Sequence, residues 1–217
     1  MNIGSWINEV HQCAKEHGWW DDERDPREAI ALMHSELSEA LEEARADRPM
    51  VWHKCVGGLE TINCEGHMRP ETAICTKEAC DCTVFDCMVN KPEGIAVELV
   101  DCAIRIMDFM GYYGIEYEPK SKRLFYATPE EPLPIFVCKL HAVLSRVFEE
   151  PFNPKDGSAI DLETGVIYDS RRVGLCFSDA LDMIFSWIRA HGGAPESVLK
   201  EKADYNKSRP YRHGKKF

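Results

Sequence analysis

The stretch from Gly94 to Met110 constrains this chain most. It has the length of a helix and is apolar nearly all round, through Ile95, Val97, Leu99, Val100, Ala103, Ile104, Ile106 and Met107. A helix of that character belongs in the middle of an assembly of other helices. Its only polar line is Glu98, Asp101, Arg105 and Asp108. Carboxylates on a buried helix cost several kcal/mol unless they are paired or bind a cation, so this line demands partners.

An upstream stretch supplies them. From Pro26, a residue suited to a helix start, Ile30, Met33, Leu37, Ala40, Leu41 and Ala44 recur at helical spacing as far as Arg45. Glu36, Glu39 and Glu43 form an acidic edge beside that stripe, because residues three and four apart share a face. Acid runs such as Glu42-Glu43 are usually just solvated, but Glu36 and Glu39 set against Glu98 and Asp101 form a four-carboxylate set. Hard divalent cations take oxygen ligands of this kind together with substrate phosphates, which makes Mg²⁺ or Mn²⁺ the expected ion.

The sequence then repeats itself. Leu140-His141-Ala142-Val143-Leu144-Ser145-Arg146 follows the order of Met33-His34-Ser35-Glu36-Leu37-Ser38-Glu39, and Ser178 to Ile188 follows Val97 to Met107. Both copies then reach glycines, Gly111 and Gly192. The second copy has Val143 and Arg146 in place of the two glutamates, while Asp179 and Asp182 keep the later acidic spacing. The expected fold is all-α: a four-helix-bundle-type core of two helical hairpins, a degenerate internal repeat, with one intact acidic site. Its parts are a first repeat over residues 1–118, a linker over 119–134, a degenerate second repeat over 135–193 and a basic segment over 194–217. A short amphipathic helix, Ile3 to His17, opens the chain with Trp6, Ile7 and Val10 on its apolar side. Pro151 to Gly174 reads as a plain connector.

Residues 49–92 interrupt the first repeat as a cysteine-rich insertion. Six of the ten cysteines lie there, and His53, Cys55, Cys64, His67, Cys75, Cys80, Cys82 and Cys87 are enough ligands for one or two tetrahedral zinc sites. The spacing is irregular and contains no CxxC, so structural Zn²⁺ stands beside ordinary reduced thiols as a reading. Cys13, Cys102, Cys138 and Cys176 sit among apolar neighbours and are expected to pack as small core residues.

A net charge of −11 argues against backbone-driven nucleic-acid binding. No run of the sequence is long and apolar enough to span a bilayer and no leader pattern opens it, so no membrane partner and a cytoplasmic location are expected. The tail reverses the charge: Lys202, Asn206 and Arg209 fall at spacings that share a helical face, with His213 and Lys216 behind them. Such cations would grip a triphosphate. Trp20 offers a ring either for stacking on a nucleobase or for stapling a loop to the core.

Glu36-x-x-Glu39 and Glu98-x-x-Asp101, in the contexts His34 to Glu43 and Gly94 to Asp101, resemble the MazG-like branch of the all-α nucleoside triphosphate pyrophosphatases, a superfamily that includes dimeric dUTPases. The resemblance spans residues 19–48 and 91–116 and, less specifically, 200–217. The chain departs from the family in the stretched gap between its motifs and in exceeding the family's minimal unit, and its oligomeric state is left open. The resemblance implies Mg²⁺-dependent hydrolysis of a nucleoside triphosphate to the monophosphate and pyrophosphate, with Glu36, Glu39, Glu98 and Asp101 as metal ligands. Lys202, Asn206 and Arg209 would then contact phosphate. The competing reading is a zinc-stabilised nucleotide-sensing or partner-binding helical module without catalysis.

Overall fold

A computed structural model describes residues 1–54, 60–61, 91–118, 128–148 and 159–211. The fold is all-α, with six helices: α1 (Ile3–Glu16), α2 (Pro26–Arg45), α3 (Ile95–Tyr113), α4 (Leu133–Ser145), α5 (Ser170–Ala190) and α6 (Pro195–Lys207). The starts of α1, α2 and α5 are set by side-chain caps: Asn2, Asp25 and Asp169 accept hydrogen bonds from the backbone N–H groups of Ser5, Arg27 and Arg172. Each cap satisfies a donor that the first turn would leave open.

Helix α3 lies at the centre, as its composition requires. It packs on α1, α2, α5 and α6, while α4 closes the square by touching α2 and α5. The hairpins α2–α3 and α4–α5 thus form the four-helix core, with α1 and α6 laid against α3. One continuous apolar cluster runs through all six helices.

The two stretches aligned in sequence touch at one pair of aligned positions. His34 of α2 and His141 of α4, equivalent positions in the aligned copies, stack with their rings 5.0 Å apart and 5° from parallel. Their Nδ1 atoms are 2.7 Å apart, so one ring donates and the other accepts. Burial lowers the pKa of both rings, and the mutual repulsion of the pair lowers His34 further.

Several expectations change. Gly111 and Gly192 are not equivalent in use. Gly111 lies inside α3, where a Cβ would come within 2.5 Å of the His11 Cβ of α1; α3 ends three residues later at Gly114, whereas Gly192, at φ 81°, follows the end of α5. The connector 151–174 is not plain. Ile160 and Ile167 form an antiparallel bridge, Ala159 and Ile160 are buried in the core, Arg27 holds the carbonyls of Leu162 and Glu163, and α5 has already begun at Ser170. The 119–134 linker ends earlier than its bounds suggest, because α4 starts at Leu133. Among the four scattered cysteines, Cys102 and Cys176 are buried, Cys13 is half-buried and Cys138 is exposed. Cys138 falls on the face of α4 opposite Phe136, Val137, Leu140 and Leu144.

A three-stranded antiparallel sheet at the root of the insertion was not apparent from sequence. β1 (Trp52–Lys54) pairs with β2 (Glu60–Thr61) on one side and β3 (Lys91–Glu93) on the other. Pro92 is tolerated because β3 is an edge strand. Gly94 then turns the chain into α3 at φ 114°, and a Cβ there would come within 2.8 Å of the Pro49 and Met50 carbonyl oxygens. The ligand candidates Cys55, Cys64, His67, Cys75, Cys80, Cys82 and Cys87 lie outside the described residues.

Two substitutions test this packing. Gly94→Ala, which meets both a left-handed backbone and fixed carbonyls, is expected to cost about 2 kcal/mol or more; Gly111→Ala, which pushes α1 away, about 1–3 kcal/mol. Urea unfolding followed by circular dichroism reads both. For the histidine pair the folded-state pKa values lie below the unfolded 6.5, so their stability contribution is intact above that pH and is lost as pH falls beneath it. His141→Gln should therefore flatten the loss of Tm between about pH 6.5 and 5.

Candidate functional site

Glu36, Glu98 and Asp101 meet where α2 crosses α3. One carboxylate oxygen of each lies within 4.8 Å of the others, and Glu36 and Glu98 are buried to 5% and 4% exposure. Among the described residues this is the one group of three or more His, Cys, Asp or Glu side chains arranged to hold a metal ion. Glu39, the fourth carboxylate of the set, is exposed one turn along α2 and accepts a hydrogen bond from Ser35 Oγ at 3.2 Å. It stands at the rim of the cluster rather than inside it.

Two cations compensate the buried acids. Arg105, one turn beyond Asp101 on α3, lies 2.6 Å from Glu36 Oε1 through both Nε and Nη2. Lys202 of α6, 2% exposed, places Nζ 2.7 Å from Asp101 Oδ2. Burial lowers the pKa of Lys202, but the charge of Asp101 and the hydrogen bond to it outweigh burial and hold it above its ordinary value.

Glu98 has no such dedicated cation. Burial, then the charge of Asp101, push its carboxyl up to about 9; Lys202 opposes the shift, while a hydrogen bond with Glu93 of β3 and the charge of Glu36 add to it. Glu36 is raised by burial as well, with Arg105 pulling against it. Three acids and two cations thus leave a net demand for positive charge, centred on Glu98. Oxygen donors only, close together and partly solvated at Asp101, suit a hard divalent ion such as Mg²⁺, which is commonly held by one or two carboxylates with water and phosphate completing its shell. Zinc in structural sites favours nitrogen and sulfur.

A cavity of about 140 Å³ opens beside this cluster between α1, α3 and α6. Asp101, Arg105 and Asp108 line it from α3, Trp19 and Arg24 from the segment between α1 and α2, Asn206 and Lys207 from the end of α6, and Arg209 from just beyond it. Of the three residues expected to share a helical face, Lys202 and Asn206 lie on α6 and Arg209 follows its end; Lys202 neutralises Asp101, while Asn206 and Arg209 line the cavity. Asn206 Oδ1 is buried without a hydrogen-bond partner. Lys207 is paired with Glu9 at 2.7 Å.

Trp20 is used as a staple. Its ring stacks on Tyr112 at 3.7 Å and its Nε1 donates to Asp108 Oδ1 at 2.8 Å, so the neighbouring Trp19 is the tryptophan that lines the larger cavity. His53, weighed as a zinc ligand, sets its Nε2 2.6 Å from Glu201 Oε1 and so joins β1 to α6. His213 and Lys216 lie outside the described residues. Sequence reading passed over Arg24, Arg105 and Glu93; Arg105 alone carried a signal, as the lone cation on the polar line of α3.

In the second repeat the corresponding position is closed. Asp179 is buried, Val143 is buried where Glu36 has its counterpart, and Asp182 accepts a 2.6 Å hydrogen bond from the Tyr117 hydroxyl. The backbone N–H of Glu118 donates to Ser178 Oγ nearby. The segment after α3 thus covers the second acidic pair.

Compared with known proteins, the chain matches no family, no curated protein and no solved structure at a significant level. No helix among the described residues is long and apolar enough to cross a membrane.

The raised pKa of Glu98 has a measurable sign. The folded protein holds that proton up to about pH 9 while the unfolded chain releases it near 4.5, so stability is fully present below the lower value and is lost as pH rises toward the upper one. In chelator-treated protein, Tm should fall by roughly 4–8 °C between pH 6 and 9, about 2 kcal/mol for a chain of this size. Glu98→Gln should remove most of that slope, and millimolar Mg²⁺ should counter it in the wild type alone.

Proposed function

We propose that the chain is a MazG-like pyrophosphohydrolase that cleaves a nucleoside triphosphate to the monophosphate and pyrophosphate. One observation carries the reading: a buried, under-neutralised carboxylate cluster reaches, through Asp101, a cavity lined by Arg24, Arg105, Lys207 and Arg209 as well as by Glu9, Asp108 and the indole of Trp19. An acidic pole next to a basic rim matches a ligand that brings negative charge together with a divalent cation. It does not match a purely cationic or purely apolar ligand.

Glu36, Glu98 and Asp101 would hold Mg²⁺, with Glu39 at the rim. When bound, the ion neutralises phosphate oxygens and lowers the pKa of water. The chain's own groups supply the rest. Glu39, exposed and one helical turn from Glu36, would accept a proton from an attacking water. Asn206, at the end of α6, and Arg209, just beyond it, would meet the phosphates; Arg105, already oriented by Glu36, would stabilise the charge that grows on the leaving pyrophosphate, and Lys202, buried against Asp101, would keep that carboxylate ionised for the metal. The ion pairs hold both cations in place before substrate arrives, so little reorganisation is needed during reaction.

The assay is release of pyrophosphate from a panel of deoxynucleoside triphosphates with Mg²⁺. Glu98→Gln is expected to lower kcat/KM by at least about a thousandfold, and Glu39→Gln by about a hundredfold or more. Lys202→Met should also lower kcat strongly. Binding of triphosphates without cleavage, or full activity in Glu98→Gln, would remove the reading.

A further inference from the structure

Asp108 is the polar residue of α3 that the proposed chemistry does not use. It lies two helical turns beyond Asp101, roughly 10 Å along the axis, and it lines both the large cavity and a smaller one formed by Trp20, Arg24, Leu32 and Phe109. Its side chain is held from behind. Trp20 Nε1 and His11 Nδ1 each lie 2.8 Å from the same oxygen, Oδ1, and since a carboxylate can only accept, both nitrogens donate to it. Trp20 is itself clamped by stacking on Tyr112. Among the described residues, none of the hydrogen bonds to Asp108 goes to Oδ2.

A carboxylate fixed through one oxygen is an oriented acceptor with its second oxygen to offer. The cavity wall mixes the indole of Trp19 and the apolar Leu32 and Ile104 with Arg24 and Arg105, so an aromatic ring entering it meets a face to stack on and polar groups at its edges. Resting on the pyrophosphohydrolase reading, in which phosphates lie at the Asp101 end, the opposite end receives the base. We infer that Asp108 reads the edge of that base through Oδ2 and selects nucleotides bearing an exocyclic amine there, cytosine or adenine, over the keto bases uracil and hypoxanthine.

The chemistry of the edges decides this. Cytosine N4 and adenine N6 present hydrogen-bond donors, whereas O4 of uracil or thymine presents an acceptor. An amine satisfies the carboxylate oxygen. A keto oxygen at that place sets two acceptors against each other in a partly buried site, which costs both the missing bond and the desolvation of the carboxylate.

The test is equilibrium binding of dCMP, dUMP, dAMP and dIMP to the full chain by calorimetry in MgCl₂, for the wild type and Asp108→Asn. The asparagine can keep its oxygen on Trp20 and His11 and turn its amide NH₂ toward the base, so the preference should not merely weaken but reverse. Expected are dCMP and dAMP binding at least about tenfold more tightly than dUMP and dIMP in the wild type, and a ratio at or below one in the variant. Equal affinities in the wild type, no binding of any of the four, or an unchanged ratio in Asp108→Asn would overturn the inference. Should Asp108→Asn fail to fold by circular dichroism, Asp108→Ser takes its place, with loss of the ratio expected. Pyrophosphate release is scored separately. Selective monophosphate binding without triphosphate cleavage removes the enzymatic reading and leaves the role of Asp108, while cleavage that ignores the base does the reverse.

Discussion

The structure depends on the desolvation of three carboxylates at the crossing of α2 and α3 and on how that cost is met. Glu36 and Asp101 are each given a cation, Arg105 from within α3 and Lys202 from α6. Glu98 is left to keep its proton or to find an external charge. This division explains why α6 is laid against α3. Removing Lys202 would leave Asp101 uncompensated beside two other acids, so the last helix is tied to the centre by electrostatics as much as by Val198, Leu199 and Ala203.

The same arrangement separates the two repeats. In the first, acids and cations surround an opening; in the second, Tyr117 and the backbone around Glu118 close over Asp182 and Ser178, and Val143 supplies carbon where Glu36 supplies charge. The stacked imidazoles of His34 and His141 lie where the copies touch, and mark the relation between a half that pays for an unfinished site and a half that is packed to completion.

Much of this was legible in the sequence for identifiable reasons. Pro26 is a strong local start signal, and α2 runs from Pro26 to Arg45 as its periodicity indicates. The all-round apolarity of Gly94 to Met110 placed α3 at the centre because nothing else accommodates such a helix. The three-residue strands β1 and β3 were not legible: a strand of three residues has no period to detect, and its pairing is decided by a partner far along the chain. The roles of Trp19 and Trp20 could not be separated either, since which indole faces the cavity follows from the left-handed turn at Gly18 and from Tyr112, not from local pattern. Arg105 was visible as a polar residue on α3, but its pairing with Glu36 required the crossing of two helices.

The ladder between β1 and β3 has a consequence for the chain's architecture. Trp52 pairs with Glu93 and Lys54 with Lys91, so the polypeptide leaves the bundle and returns to it through adjoining backbone positions. Chain-closure entropy grows only slowly with the number of residues between two such fixed positions, about 0.6 kcal/mol for each doubling. The helical core is therefore only weakly sensitive to the number of residues between those strands, because the ladder, rather than the sequence between its ends, fixes where the chain leaves α2 and re-enters α3.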